Sequence, residues 1–400
     1  MNDVAIPLSL AAFREGFPAL QSGAYLSICD KAILHDRVRD AVDDFLTGMA
    51  GGNATRVGHE THVTAARKAF AAMIGASADE IAFGRNVSDG INAVVCAMDW
   101  KAGDNAVVCL ALEHPNNIYP WLRLKKRGVT LRDVPPVNGR IDQAAMADAM
   151  DASTRMVSCA SVSFAPGYRA DLARLGAAAR RHDALFLVDG VQSAGILCHD
   201  VEAENVDAFA TSTSKGLLGI YGAGFLYVSS RWVDRLEPAY LSRPAVAAEN
   251  DDASAIGAYD YRLQPGARRF EVGSYNLAGA YAVDAAMALL AGVGADTVER
   301  QALMVAEGLR AALHAAGATP VSQPADAHET SHIVTAGPLD AGGHGFSSTA
   351  WVEPLSARLA EAGVIHTVRR GQLRLATHGY NTEADVALVR DALAGWQRAA

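Results

Sequence analysis

Ala184-Leu185-Phe186-Leu187-Val188-Asp189-Gly190-Val191-Gln192-Ser193 is the stretch from which the rest of this chain can be read. Five apolar residues ended by a carboxylate and a glycine predict a buried strand that delivers Asp189 to its C-terminal end. The pattern returns at Val206-Asp207-Ala208-Phe209-Ala210-Thr211, which carries Ser212-Thr213-Ser214-Lys215-Gly216 to the same edge. Asp189 and Lys215 are 26 positions apart, enough for one crossover between neighbouring strands. Lys215 follows small hydroxyl residues and opens into a loop containing Gly216, Gly219, Gly222 and Gly224. Such a setting desolvates an amine and favours its neutral, nucleophilic form.

Outward from this pair, strands and helices alternate. Strands are expected at 81–83, 106–112, 129–134 and 156–162, with helices at 34–49, 63–74, 91–98, 116–127, 142–150 and 171–181. Continuous apolar strands separated by helices indicate an α/β fold with a mainly parallel sheet covered on both faces. Ligands of such sheets sit beyond the C-terminal ends of the strands. Glu113-His114, Ser163-Phe164, Asp189 and Ser212 to Lys215 all fall there. Ser88, in the turn from the strand at 81–83 into its helix, is a candidate N-cap and also stands where a phosphate binds. Beyond residue 230 the character changes. Residues 242–268 read as a long polar loop, 277–293 as a small-residue helix, and the remainder as helices at 297–315, 349–362 and 383–399 with short strands near Ile333, Val364 and Leu373.

Four hundred residues exceed what one hydrophobic core usually organises, so a large domain with a smaller one is expected. A formal net charge of -9, with Lys125-Lys126-Arg127 as the one basic cluster, argues against nucleic acid and anionic membranes as partners. The N-terminus lacks a signal-peptide pattern and no apolar run approaches 18 residues, so a soluble cytoplasmic protein is the expectation. Five scattered cysteines indicate neither a disulfide framework nor a zinc knuckle. His59-Glu60-Thr61-His62 lacks the His spacing of a zinc-protease helix, and no metal is expected there. Gly222-Ala223-Gly224 lacks the third glycine of a dinucleotide turn and precedes a strand.

A lysine and a carboxylate at one sheet edge suit pyridoxal 5'-phosphate (PLP). That cofactor needs a lysine for its Schiff base, a carboxylate to keep its pyridine nitrogen protonated, and donors for its phosphate. Asp189 alone could be a turn residue and Lys215 alone a solvated one; the pair carries the reading.

With these motifs in order, the chain resembles the class V aminotransferase family of fold-type I PLP-dependent enzymes, the group of cysteine desulfurases, isopenicillin N epimerase-like proteins and C–S lyases. The resemblance runs from about Tyr25 to the C-terminal helix. It implies the fold-type I transferase fold, with a seven-stranded-type sheet. The domains would be an N-terminal segment (1–24) packing on the small domain, a large PLP-binding domain (25–276), and a bridging helix with a small α+β C-terminal domain (277–400). By the resemblance Lys215 carries the Schiff base, Asp189 pairs with the pyridine nitrogen, Gln192 lies near the phenolic oxygen, and His114 stacks on the ring. Val87, Ser88, Ser212 and Ser214 fall on the cofactor side. Arg269-Phe270-Glu271-Val272-Gly273-Ser274 is similar to the family turn whose hydroxyl, here Ser274, reaches the phosphate of a neighbouring subunit, implying a homodimer with shared sites. Arg374, followed by His378-Gly379-Tyr380-Asn381-Thr382, matches the arginine that grips the α-carboxylate of an amino-acid substrate. Asn117 and Cys29 join it on the substrate side.

Three departures shape the expected chemistry. The segment from Val364 to Gly371 holds no cysteine where desulfurases carry their nucleophile, which predicts that the enzyme is not a persulfide-forming desulfurase. Ser214 stands where many members have histidine, and Phe164 where desulfurases have asparagine. The expectation is a lyase (C–S or other β-elimination) or epimerase, with an aminotransferase as the alternative and a catalytically silent scaffold after that.

Overall fold

The deciding strand carries no polar residue before Asp189 because neither of its faces meets water. In the computed structural model, Phe186 and Val188 enter one apolar cluster and Leu185 and Leu187 another, all four fully buried. A strand covered on both sides loses the alternation of a half-exposed one. Each such side chain contributes about 1.5–3 kcal/mol by burial, set against the entropy of ordering it. The structure describes residues 7–52, 56–247, 261–320 and 327–396.

Seven strands form the main sheet: β1 (Ile81–Gly84), β2 (Asn105–Val108), β3 (Thr130–Asp133), β4 (Thr154–Ala160), β5 (Leu185–Asp189), β6 (Ala208–Ser212) and β7 (Gly224–Val228). Their order is β1-β7-β6-β5-β4-β2-β3, and of these seven β7 alone runs against its neighbours. β5 and β6 are parallel neighbours, as one crossover between Asp189 and Lys215 requires. One face packs against α1 (Asp36–Ala50), α2 (Arg56–Met73), α4 (Leu172–Arg181) and α5 (Leu277–Val293); the other is covered by α3 (Val87–Ala97). Asp171 starts α4 where the sequence placed it, its Oδ1 accepting the Arg174 amide at 3.0 Å.

The C-terminal part holds a three-stranded antiparallel sheet of β8 (Ile333–Ala336), β9 (Thr367–Arg369) and β10 (Gln372–Ala376), ordered β8-β10-β9. It packs on α6 (Ala295–Ala315) and α7 (Glu383–Leu393) through Leu309, Leu373, Leu375 and Val386. No single helix among the described residues is long and apolar enough to cross a membrane.

Several expected boundaries move. The helix expected over 116–127 is three pieces, Pro115–Asn117, Tyr119–Leu124 and Lys125–Arg127. Pro120 lacks an amide hydrogen and fits only a first turn, so the α-helix begins beside it. The strand expected to reach Leu112 ends at Val108, and a 3-10 turn over Leu110–Leu112 leads to Glu113. Of the polar segment 242–268, residues 248–260 lie outside the described residues; its flanks Val246–Ala247 and Arg262–Leu263 pair antiparallel. His59 and His62 lie on α2 with Nδ1 atoms 3.1 Å from the Tyr281 hydroxyl and 2.7 Å from Asp284 Oδ2. Among the described residues no three His, Cys, Asp or Glu side chains gather to hold a metal.

α2 is tied to the turn before α5 by a buried ion pair. Glu271, 1% exposed, accepts from Arg67 Nη2 at 2.6 Å, the Phe83 amide at 2.9 Å and the Tyr275 hydroxyl at 2.5 Å. Glu271→Ala strands a buried guanidinium and a backbone N–H, and is expected to cost about 3–5 kcal/mol in urea denaturation. Adding Arg67→Ala should cost less than the two single losses together.

Candidate active site

β5 and β6 end side by side, and the turn after β5 backs directly onto the lysine loop. Gly195 takes a left-handed conformation (φ 81°), and a side-chain carbon there would lie 2.3 Å from the Gly216 carbonyl oxygen. Only glycine allows so close an approach. In front of this junction lies a cavity of about 230 Å³ lined by Asp189, Gln192, Ser212, Ser214, Lys215, His114, Val87 and Phe164.

Charge in the cavity is set by burial. Asp189 is 3% exposed, and loss of water pushes its carboxyl up to about 6, against the Val191 amide (3.0 Å to Oδ1) and Lys215. Behind it, Glu113 is pushed up to about 8 by burial first and the Asp189 charge second. The Asn117 amide at 2.7 Å and the Ala160 N–H at 2.7 Å oppose that shift. Burial drives the Lys215 ammonium below its ordinary value, with Asp189 pulling the other way. His114 is likewise lowered, by burial and then by Lys215 and Arg374, so its ring is neutral. That ring meets Phe164 edge-on, centroids 5.5 Å apart at 82°.

Arg374, on β10, is buried and within electrostatic reach of Lys215 and His114. Its Nε donates to Thr367 Oγ1 at 3.0 Å and its Nη1 to the Phe164 carbonyl at 2.8 Å, and among the described residues no carboxylate pairs with it. A buried guanidinium without a counter-ion calls for an anionic ligand.

Other sequence expectations are redirected. Ser88 does not cap α3: Asn86 does, its Oδ1 accepting the Asp89 amide at 2.9 Å, which leaves Ser88 inside the first turn. Ser212 ties that helix start to β6 by accepting the Val87 amide at 2.9 Å. Asn117 is not among the residues that line the cavity. Trp121 Nε1 can only donate, so Asn117 presents Oδ1 to it (3.1 Å) and Nδ2 to Glu113, and is 1% exposed. Its neighbour Asn116 lines the cavity instead. Cys29 lies beneath the wall with its thiol raised by burial, and its carbonyl accepts Gln192 Nε2 at 3.2 Å; Asp30 is the lining residue. Ser274 opens on a separate pocket with Ser242, Arg243 and Tyr275 rather than on Lys215.

One network was not foreseen. Glu204 carboxylate oxygens lie 3.0 and 3.1 Å from His199 Nδ1, His199 Nε2 lies 2.7 Å from Ser193 Oγ, and Ser193 Oγ lies 2.6 Å from Ser161 Oγ. The order suggests a hydrolytic triad, but Ser193 is wholly buried and meets no substrate. Instead Ser161 donates to the Asp189 carbonyl through its amide (3.0 Å) and hydroxyl (3.2 Å), so the chain clamps the turn that carries Asp189 and Gln192.

The donors present fit PLP. Asp189 offers a carboxylate for a protonated ring nitrogen, Lys215 an amine, and Gln192 Oε1 is a buried acceptor with no protein partner. A mainly parallel sheet presenting these groups with a neutral imidazole around one cavity defines a PLP enzyme of fold type I. The chain belongs to the aminotransferase class-V family, whose model matches residues 30–344, and PLP is its cofactor. It is 32% identical over 345 residues to a probable cysteine desulfurase of Methanothermobacter thermautotrophicus, covering 82% of each chain. Over 288 residues it is 30% identical to an uncharacterized aminotransferase of Bacillus subtilis, covering 72% of this chain and 74% of that one. An apo cysteine desulfurase structure from Thermococcus onnurineus matches with a TM-score of 0.81 over 99% and 100% of the two chains. The cystine C-S lyase C-DES with its product cysteine persulfide matches at 0.82 over 95% and 100%. Both are 23% identical, a likeness of fold.

These relatives correct one expectation. The missing cysteine between Val364 and Gly371 had excluded a persulfide-forming desulfurase, yet relatives at 32% and 30% identity bear the name probable cysteine desulfurase. The missing residue bears only on which thiol takes the sulfur, and a thiol from another part of the chain or from solution can serve.

Proposed function

We propose that this enzyme cleaves the C–S bond at Cβ of a cysteine-type amino acid by elimination. The observation that carries the reading is the buried Arg374 without a carboxylate partner beside an amine whose charged form burial disfavours. Arg374 binds the substrate carboxylate, and its two fixed nitrogens set the orientation of the guanidinium. PLP bound at Lys215 supplies an electron sink for the carbon that loses its proton. Lys215, its charged form disfavoured by burial, takes the proton from Cα. Asp189 holds a proton at the ring nitrogen, and His114 covers the ring face. The Cβ–S bonding pair leaves with sulfur as hydrosulfide, and water converts the remainder to pyruvate and ammonia. A thiol that takes the sulfur as a persulfide leaves alanine instead. The relatives named cysteine desulfurase support sulfur as the leaving atom.

The test is product analysis of PLP-loaded protein with L-cysteine. Equal sulfide and pyruvate support elimination, alanine with persulfide supports transfer to a thiol, and a 2-oxo acid without sulfide release overturns both in favour of transamination, the reading favoured by the Bacillus subtilis relative. Arg374→Lys, which loses the planar fork, should raise KM for L-cysteine by about 100-fold with a smaller change in kcat. We propose in addition that the protein works as a homodimer in which Ser274 reaches the cofactor of the other subunit. Ser274→Ala should then weaken PLP binding in equilibrium dialysis.

A further inference from the structure

His378 follows β10, four residues beyond Arg374, and its ring is wholly buried. Its Nε2 lies 3.0 Å from the carbonyl oxygen of Gly216, the residue after Lys215. A carbonyl oxygen only accepts, so Nε2 carries the hydrogen. Burial pulls the ring down to about 4 against the opposing pull of the Gly216 and Gly195 carbonyls, so it is neutral at physiological pH.

Both ends of this hydrogen bond are rigid. The imidazole stacks on Tyr380 (4.9 Å, 16°) and touches Phe13 (6.0 Å), while the His378 amide donates to Asn381 Oδ1 at 2.9 Å. On the other side, a side-chain carbon at Gly216 would lie 2.4 Å from the Ala194 carbonyl oxygen. Nδ1 has no hydrogen-bond partner, so the donor capacity of the ring is spent on the lysine loop.

We propose that His378 is a positioning residue that fixes the lysine loop to the strand carrying Arg374, so that one hydrogen bond sets the distance between the amine and the carboxylate grip. This rests on reading Lys215 and Arg374 as cofactor and substrate anchors. Seating a carboxylate on Arg374 then steadies the backbone beside Lys215, and the amine meets Cα in register.

The experiment compares His378→Leu with His378→Gln, which keeps an N–H donor, and with His378→Asn, polar but too short to reach. Two quantities are read: hydrogen exchange of the amides from Gly216 to Gly222 without PLP, and the rate of the visible spectral change when PLP-loaded protein is mixed with glycine. His378→Leu is expected to speed exchange in that loop at least about tenfold and to slow the glycine response about tenfold. His378→Asn should follow it, and His378→Gln should restore most of both. Exchange in 216–222 no faster than elsewhere, with an unchanged glycine response in the Leu and Asn variants, overturns the proposal and leaves His378 a packing residue. If PLP-loaded wild type shows no lysine-bound band, the proposed function falls, while loop exchange still decides whether His378 holds the loop.

Discussion

Lys215→Ala removes the visible band of lysine-bound PLP and lowers L-cysteine turnover by at least about 10³-fold, because the residue both anchors the cofactor and moves the Cα proton. Stability should not fall with activity. The Lys215 side chain is buried with its ammonium disfavoured, so removing it relieves a desolvation cost. Visible spectroscopy and single-turnover kinetics check the first part, urea denaturation of cofactor-free protein the second. A full band in the variant would place the Schiff base on another lysine.

Asp189→Asn keeps the shape and the acceptor for the Val191 amide while deleting the charge, and turnover should drop by about 10³-fold. The same change should stabilise the cofactor-free protein, in a pH window whose direction follows from burial. The Asp189 carboxyl is raised from 3.8 to about 6, so below 3.8 folded and unfolded chains both hold the proton and nothing is lost. Between 3.8 and 6 the unfolded chain releases a proton that the folded one keeps, and stability declines as pH rises. Above 6 the full penalty, on the order of 2–3 kcal/mol, remains. Asparagine has no such penalty. The two proteins should therefore converge near pH 4 and diverge at pH 8, with the variant the more stable in urea. Glu113 acts in the same direction at higher pH, through its own window up to about 8.

What could be read in the sequence was what two-sided burial enforces. Leu185 to Val188 had to be apolar throughout, and a carboxylate or lysine at the end of such a strand has a place in the fold before any contact is known. Asn117 shows where that logic stops. It sits at the right edge, yet its direction is decided by a donor-only indole and a buried carboxylate, neither of which spacing reveals. Ser88 was lost to Asn86 by two positions because both are good caps and only the chain's entry angle chooses between them. His199 and Glu204 join Ser193 by folding back of the turn, and a five-residue spacing outside a helix carries no signal. The missing cysteine was read too far: relatives named probable cysteine desulfurase match this chain although Val364 to Gly371 holds no cysteine.

The reversed strand β7 has a consequence for the order in which the molecule comes into being. β1 is the first of the seven strands to leave the ribosome, but its backbone partner is β7, with Ile81 opposite Tyr227. Until Gly224–Val228 is made β1 has no ladder to join, and until Ser212 is made α3, which it leads into, has no hydroxyl to accept its first amide. Pairs of such sequence separation form slowly. A nascent chain halted before Gly224 would therefore hold Asp189 and Lys215 in a sheet still lacking β7, with no ladder for β1 and with Arg374 yet to be made.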